Sequence, residues 1–321
     1  MVPRALLVVT TLLFVTVLGG CASPDIQQPR NETAMPSLNS DHFIAHDGLA
    51  IPLRKWMSED QKPAAVVIAV HGFNDYSNFF DGPGNFLADR GVTTYAFDQR
   101  GFGATPAAGI WPGIAALTQD LETIIALVLA RHPDTPLYLF GESMGGAVVM
   151  VALKKARDLN QTLGIEGVIL SAPAVWGREA MPWYQSTALW LSSHIMPRAK
   201  LTGQGLKIMA SDNIEMLRAL GRDPLIIKKT RVDAVYGLTN LMDAALKAAY
   251  QIDLPLLILY GEKDEIIPRK PTELMLSRLP ETGKVDRQVI FYANGYHMLT
   301  RDLQGEAVWR DIDKWISARA G

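Results

Sequence analysis

The chain has 321 residues, 48% hydrophobic and 20% charged, and its 31 basic and 33 acidic side chains leave a net charge of −2. That length suits one large α/β domain with an insertion, or two smaller domains, and the near-neutral balance with no basic block argues against nucleic acid as a partner. A single cysteine excludes an intramolecular disulfide framework and a Cys-rich zinc site.

That cysteine is Cys21, in "MVPRALLVVTTLLFVTVLGGCAS". Arg4 gives a positive start, residues 5–18 are almost wholly apolar, and two small glycines precede the cysteine. The apolar stretch is shorter than the roughly 20 residues that span a bilayer, so residues 1–20 read as a secretory signal. Leu18-Gly19-Gly20-Cys21 resembles the bacterial lipobox, which implies cleavage before Cys21 and lipidation of that residue. An uncleaved anchor helix with an incidental cysteine is the competing reading. Ala22, where an Asp would argue otherwise, points to the outer membrane in a host that has one. Residues 21–41 are polar and carry prolines, the composition of a flexible tether. The expected location is the cell envelope, with the membrane surface reached through a lipid anchor.

From about residue 42, short β-rich apolar runs alternate with helical stretches. The clearest strands are predicted at 64–72, 93–101, 136–142, 165–173, 255–264 and 287–294, most of them continuously apolar, as strands buried on both faces are. Helices are predicted around 82–91, 113–133 and just after Ser143, with two more near the end. This alternation predicts an α/β fold with a mainly parallel central sheet flanked by helices. Residues 177–250 hold no clear strand and read as a helical cap between two core segments, 42–176 and 251–321. Within it "DPLIIKKT" reads as a helix, and "SDNIEMLRALG" as another, capped by Ser211 or Asp212.

"YLFGESMGGAVVM", residues 138–150, sets one serine among glycines where a strand becomes a helix. Gly141-x-Ser143-x-Gly145 fits the nucleophile elbow, a strained turn that exposes the serine and tolerates no bulky neighbours. A serine hydroxyl needs a base to take its proton and a carboxylate to orient that base. On this fold the order is Ser, acid, His. Asp264 follows a buried strand, with Glu262 and Glu265 as rivals. Among His42, His46, His71, His132, His194 and His297, only His297 follows the last strand. Two backbone amides should hold the oxyanion: Met144, next to the nucleophile, and Phe73, in the loop after the first buried strand. His71, Gly72, Asp98 and Arg100 read as structural supports.

"VHGF", "FDQRGFG", "YLFGESMGGAV", "LSAP", "LYGEKDEIIP" and "GYHML" together resemble the α/β-hydrolase superfamily, and within it the monoacylglycerol lipase/lysophospholipase-like branch, over about residues 42–315. The resemblance implies the α/β-hydrolase fold with a helical cap, Ser143, Asp264 and His297 as the triad, and Phe73 and Met144 as oxyanion donors. It implies no metal and no cofactor. The expected activity is carboxylic ester hydrolysis through an acyl-enzyme on a small acyl ester such as a monoacylglycerol or lysophospholipid. A short-chain esterase or thioesterase is the alternative. From another class, a non-catalytic envelope lipoprotein could retain the fold.

The first cap helix carries Trp183, Tyr184, Leu189, Trp190, Leu191 and Ile195. Two readings compete for this apolar stripe: packing onto the core, or a lid that faces lipid or an acyl tunnel.

Overall fold

The apolar runs become the strands at the centre of the molecule. The computed structural model describes residues 23–320 apart from 29, 31, 59–61, 204, 206, 207, 282, 284 and 285, so Cys21 and the signal segment lie outside the described residues. Strands β4 (Ala65–Val70), β5 (Val92–Phe97), β6 (Leu137–Glu142), β7 (Gly167–Ser171) and β10 (Leu256–Gly261) are buried along their whole length. β11 (Arg287–Tyr292) closes one edge. Side chains alternate between the two faces of such a sheet. Val66, Ile68 and Val70 accordingly pack on one face, and Ala65, Val67 and Ala69 on the other.

Three further strands that the periodicity did not single out extend the opposite edge. They are β1 (Ser37–Leu38), β2 (His42–Ile44) and β3 (Ala50–Trp56). The sheet runs β1-β2-β3-β5-β4-β6-β7-β10-β11, parallel from β5 onward and antiparallel across β3–β5 and the two pairs outside it. Helices α2 (Ile114–Arg131) and α3 (Met144–Asp158) cover one face; α1 (Asp81–Ala88) and α8 (Gly305–Ala320) cover the other. α7 (Arg269–Arg278) links β10 to β11.

The cap between β7 and β10 holds α4 (Trp183–Ile195), α5 (Ile214–Arg222) and α6 (Val232–Ala248). A short antiparallel pair, β8 (Lys200–Leu201) with β9 (Thr230–Arg231), adds strand where only helix was expected. "DPLIIKKT" is not helical. Pro224 restricts the residue before it, Asp223 accepts the Leu225 amide in a tight turn, and Ile227 N–H donates to the Asn74 carbonyl at 3.0 Å. The N-cap of α5 is Asn213, whose side chain accepts from Met216 N–H at 3.1 Å. Ser211 and Asp212, the expected caps, are engaged elsewhere: Ser211 Oγ donates to Asp302 and Asp212 accepts the Leu303 amide.

The segment expected as a flexible tether is in part docked. Ser37–Leu38 pairs with β2, and Asp25 and Gln27 hydrogen-bond to the cap and to the loop before α2. Among the described residues, no helix is long and apolar enough to cross a membrane.

Candidate active site

Ser143 stands between β6 and α3 with φ +48° and ψ −115°, a left-handed conformation costly for a residue with a Cβ. Surrounding hydrogen bonds hold it there. Its N–H donates to the Ser171 carbonyl at 3.0 Å, and its own carbonyl accepts from Ala174 N–H at 2.8 Å. Gly145 is required by the neighbouring strand, since a Cβ built there would lie 1.9 Å from the Val70 carbonyl oxygen.

The loops after β10 and β11 bring the other two residues to the serine. His297 Nε2 is 2.9 Å from Ser143 Oγ, and its Nδ1 is 2.8 Å from Asp264 Oδ2. The second oxygen of Asp264 accepts the Ile266 and Ile267 amides at 2.8 and 2.9 Å, which fixes the carboxylate. The rival acids are committed to other partners: Glu262 pairs with Arg269, and Glu265 accepts the Met209 amide. Burial disfavours the imidazolium of His297, but the Asp264 charge and hydrogen bond, with Glu142 behind them, outweigh it and raise the pKa above the ordinary 6.5. The order Ser–His–Asp, with Nδ1–H held on a carboxylate, leaves Nε2 facing the serine hydroxyl, the arrangement of a Ser-His-Asp triad.

Met144 is the first residue of α3, so its amide has no acceptor within the helix. The His71–Gly72 turn that leads into Phe73 passes directly beside the serine: a Cβ at Gly72 would sit 3.2 Å from Ser143 Cβ. His71 braces this turn. Its Nδ1 donates to the Gly72 carbonyl at 2.8 Å and its Nε2 accepts Gln99 N–H at 2.9 Å, an arrangement that demands the neutral ring, and burial lowers its pKa accordingly. Asp98 takes the Ser77 hydroxyl and the Ala104 amide, and buried Arg100 bridges Asp47 and Asp120. Both support the loops and neither approaches Ser143 through any of these bonds.

Glu142 is a functional neighbour to which the motif itself assigns no role. Its carboxyl is buried, lies 3.7 Å from His297 Nε2, and is pushed up to about 8 by burial, with Asp75 adding to the effect and His297 opposing it. A carboxyl group inside the elbow, on a strand buried along its whole length, is the sequence signal that marks it. Cap residues also fasten onto the site. Asn74 Nδ2 donates to Thr230 Oγ1 at 2.7 Å, Tyr76 OH to Asp223, and Met298 N–H to the Ala210 carbonyl at 2.9 Å. Among the described residues, no group of three or more His, Cys, Asp or Glu side chains is gathered as a metal would need.

Residues 61–304 match the family described as serine aminopeptidase, S33. The chain belongs to this serine aminopeptidase S33 family. Two sequence relatives are 23% identical over 87% of the chain. One is a monoacylglycerol lipase of Mycolicibacterium smegmatis, of which 98% is covered; the other is an abhydrolase domain-containing protein of Dictyostelium discoideum, of which the chain spans 29%. A solved monoglyceride lipase of Saccharomyces cerevisiae superposes with a TM-score of 0.71 at 21% identity, covering 93% of this chain and 99% of that one. The fold of this S33-family chain is the α/β-hydrolase fold, and the protein is a serine hydrolase of carboxylic esters.

Proposed function

We propose that the chain hydrolyses monoacylglycerols, lysophospholipids or closely related acyl esters, from a lipid anchor at Cys21 in the cell envelope. Ser143 Oγ attacks the ester carbonyl while His297 Nε2 takes its proton. The Phe73 and Met144 amides receive the oxyanion, and His297 returns the proton to the departing alcohol. Water then attacks the acyl-serine by the same route, releasing the fatty acid. Asp264 holds the imidazole in the tautomer that each step needs.

The observation that carries this reading is the Ser143–His297–Asp264 chain of 2.9 and 2.8 Å contacts beneath a cap whose first helix turns aromatic side chains outward. Its support from relatives is that the two full-length comparisons above are lipases of monoglycerides. The family's descriptive name raises a second reading, an amide-cleaving peptidase, which the same triad could serve.

The test is turnover by residues 23–321 against long- and short-chain monoacylglycerols, a lysophospholipid, a short p-nitrophenyl ester and an aminoacyl anilide, with Ser143→Ala as control. Docking of Asp25 and Gln27 makes position 23 a better starting point than one near residue 42, which would remove both contacts. Preference for long acyl chains, lost in the control, supports the proposal. Turnover of the short ester alone removes the lipid assignment, and turnover of the anilide above all esters installs the peptidase. No Ser143-dependent turnover leaves a non-catalytic lipoprotein. The anchor is tested separately, by the mass of the N-terminal peptide from membranes.

A further inference from the structure

Asp25 lies four positions beyond Cys21, yet it is held by the far side of the chain. Its carboxylate accepts from Arg198 Nε at 2.9 Å and from an Arg231 terminal nitrogen at 2.7 Å. Its backbone N–H donates to Asp233 Oδ2 at 3.1 Å, and Arg231 in turn grips both oxygens of fully buried Asp233 at 2.9 and 2.5 Å. Two residues on, Gln27 exchanges three bonds with the loop before α2: its N–H to Trp111 O at 2.9 Å, and its side-chain amide to Ile110 O at 2.8 Å and Ala107 O at 3.2 Å. An isolated exposed ion pair contributes little. Here a buried carboxylate, a mostly buried guanidinium and a backbone donor are shared in one network, which is the case in which charged contacts hold geometry.

The attachment point matters because of what adjoins it. Arg198 lies just beyond α4, and the Asp233 and Val232 amides donate to Pro197 and Ala199 carbonyls at 3.0 and 2.9 Å, joining the α4 exit to the start of α6. On α4, Trp183 is 78% exposed, and Trp190, Leu191 and Ile195 are also exposed, positions that share one helical face. His194 is the helix's one titratable side chain of a cationic type, and it has no acidic one. Lys200, two residues beyond Arg198, is exposed as well. Four residues of extended chain reach at most about 14 Å. A bilayer that holds an acyl group on Cys21 is therefore confined to within about that distance of the Arg198–Arg231 cluster, at the Ile195 end of α4 and near the exposed Lys200.

We propose that residues 23–28 form a strap that clamps the anchored N-terminus to the cap and thereby holds the apolar face of α4 against the phospholipid bilayer. This rests on the lipid-anchor reading above. The strap makes the anchor directional: it sets which side of the enzyme faces lipid, where a free tether would set only a distance. Substrate drawn from the same bilayer would then meet the cap first.

The test uses the full lipidated chain in phosphatidylcholine/phosphatidylglycerol vesicles, comparing hydrogen exchange of the wild type, Asp25→Lys, and an insertion of a long Gly-Ser segment between Ala22 and Asp25. The mass of the N-terminal peptide reports acylation at Cys21, and the short p-nitrophenyl ester reports folding. The strap predicts slow exchange over 23–28 and vesicle-dependent slowing over 183–195, by roughly fivefold or more. In Asp25→Lys, both protections should fall although acylation, vesicle retention and short-ester turnover persist. The insertion should keep the first protection and lose the second. Free exchange over 23–28 in the wild type, or undiminished protection of α4 in both variants, overturns the strap. Protection of α4 that grows with protein concentration without vesicles assigns the face to a second copy of the chain instead. An unacylated Cys21 overturns the anchor itself, a separate failure read on a separate peptide.

Discussion

The carboxyl of Glu142 and the imidazole of His297 are 3.7 Å apart, both buried, with the serine hydroxyl on the same side of the ring. The Glu142 proton is held to about pH 8 because burial penalises the carboxylate more than His297 favours it. Asp75, Arg301 and Asp264 complete the charged surroundings. Near neutrality Glu142 is therefore a neutral acid beside the Gly72 turn.

Two pH effects follow from this pair. Turnover requires neutral His297, whose raised pKa places the acid limb of kcat/KM above the ordinary 6.5. Above about pH 8, Glu142 ionises and sets an anion beside the Gly72 turn, next to the proposed oxyanion site, so kcat/KM should fall again. Glu142→Gln should lose the alkaline limb and move the acid limb slightly down, because Glu142 is one of the groups that raise His297. Stability moves with the same proton. The native state binds it more tightly than the unfolded state, so the wild type loses stability as pH rises from about 4.5 to about 8 and levels off beyond. Glu142→Gln should flatten that decline, by on the order of a few kcal/mol at most, in urea titrations across the range. An unchanged alkaline limb in the variant would remove Glu142 from the rate profile.

Asp264 and Glu265 are adjacent in sequence and differ completely in consequence. Asp264 fixes the Nδ1–H tautomer of His297, whereas Glu265 accepts a cap amide at the surface. Asp264→Asn should lower kcat by about 10⁴ with little change in KM, as loss of the tautomer does in other triads. Glu265→Gln should leave kcat within about threefold, since exposed side chains with one neutral contact contribute little. Steady-state kinetics on the short ester decides both.

The core and the close approach of Ser143, His297 and Asp264 were legible for the same reason. Strands buried on both faces must be continuously apolar, and a nucleophile elbow must have small residues where Gly145 meets the Val70 carbonyl, so both constraints leave marks in a single sequence. The edge strands β1–β3 left weaker marks: β1 and β2 are two and three residues long, and β3 is partly exposed with Pro52 interrupting its pattern. The cap was misread where local signals pointed to several residues. Ser211, Asp212 and Asn213 are all competent caps, and the choice of Asn213 is made by Asp302 and Leu303, some ninety positions away. The docking of Asp25 was invisible for the same reason, because polar composition describes solubility and not partners.

Gly145 gives the sharpest steric prediction. The Cβ of Gly145→Ala would overlap the Val70 oxygen at 1.9 Å, and neither backbone has room to move because β4 is central and α3 packs on it. The variant should lose several kcal/mol, beyond the 1–3 kcal/mol usual for overpacking, and yield little folded protein. Expression with near-native melting would show that the elbow can shift. A partly folded product should at least fail to react with a fluorophosphonate.

Ser211 ties the cap to the catalytic loop, and this makes it a test of whether cap and chemistry are coupled. Its hydroxyl donates to Asp302 Oδ1 at 2.6 Å, while Asp302 Oδ2 accepts the Tyr296 amide at 2.8 Å, next to His297. The Asp302 carboxyl is raised by burial and lowered in part by that hydroxyl. Ser211→Ala would leave a buried acceptor short of one donor, a cost of about 1–3 kcal/mol. Part of it should appear as a looser Tyr296–His297 segment, so kcat falls by about tenfold, equivalent to some 1.4 kcal/mol in the transition state, with KM for a short ester nearly constant. Ser211→Thr, which keeps the hydroxyl, should restore kcat. A loss of stability with kcat unchanged would make the Ser211–Asp302 bond a fastening of the cap alone, with His297 held by Asp264 and needing nothing from above.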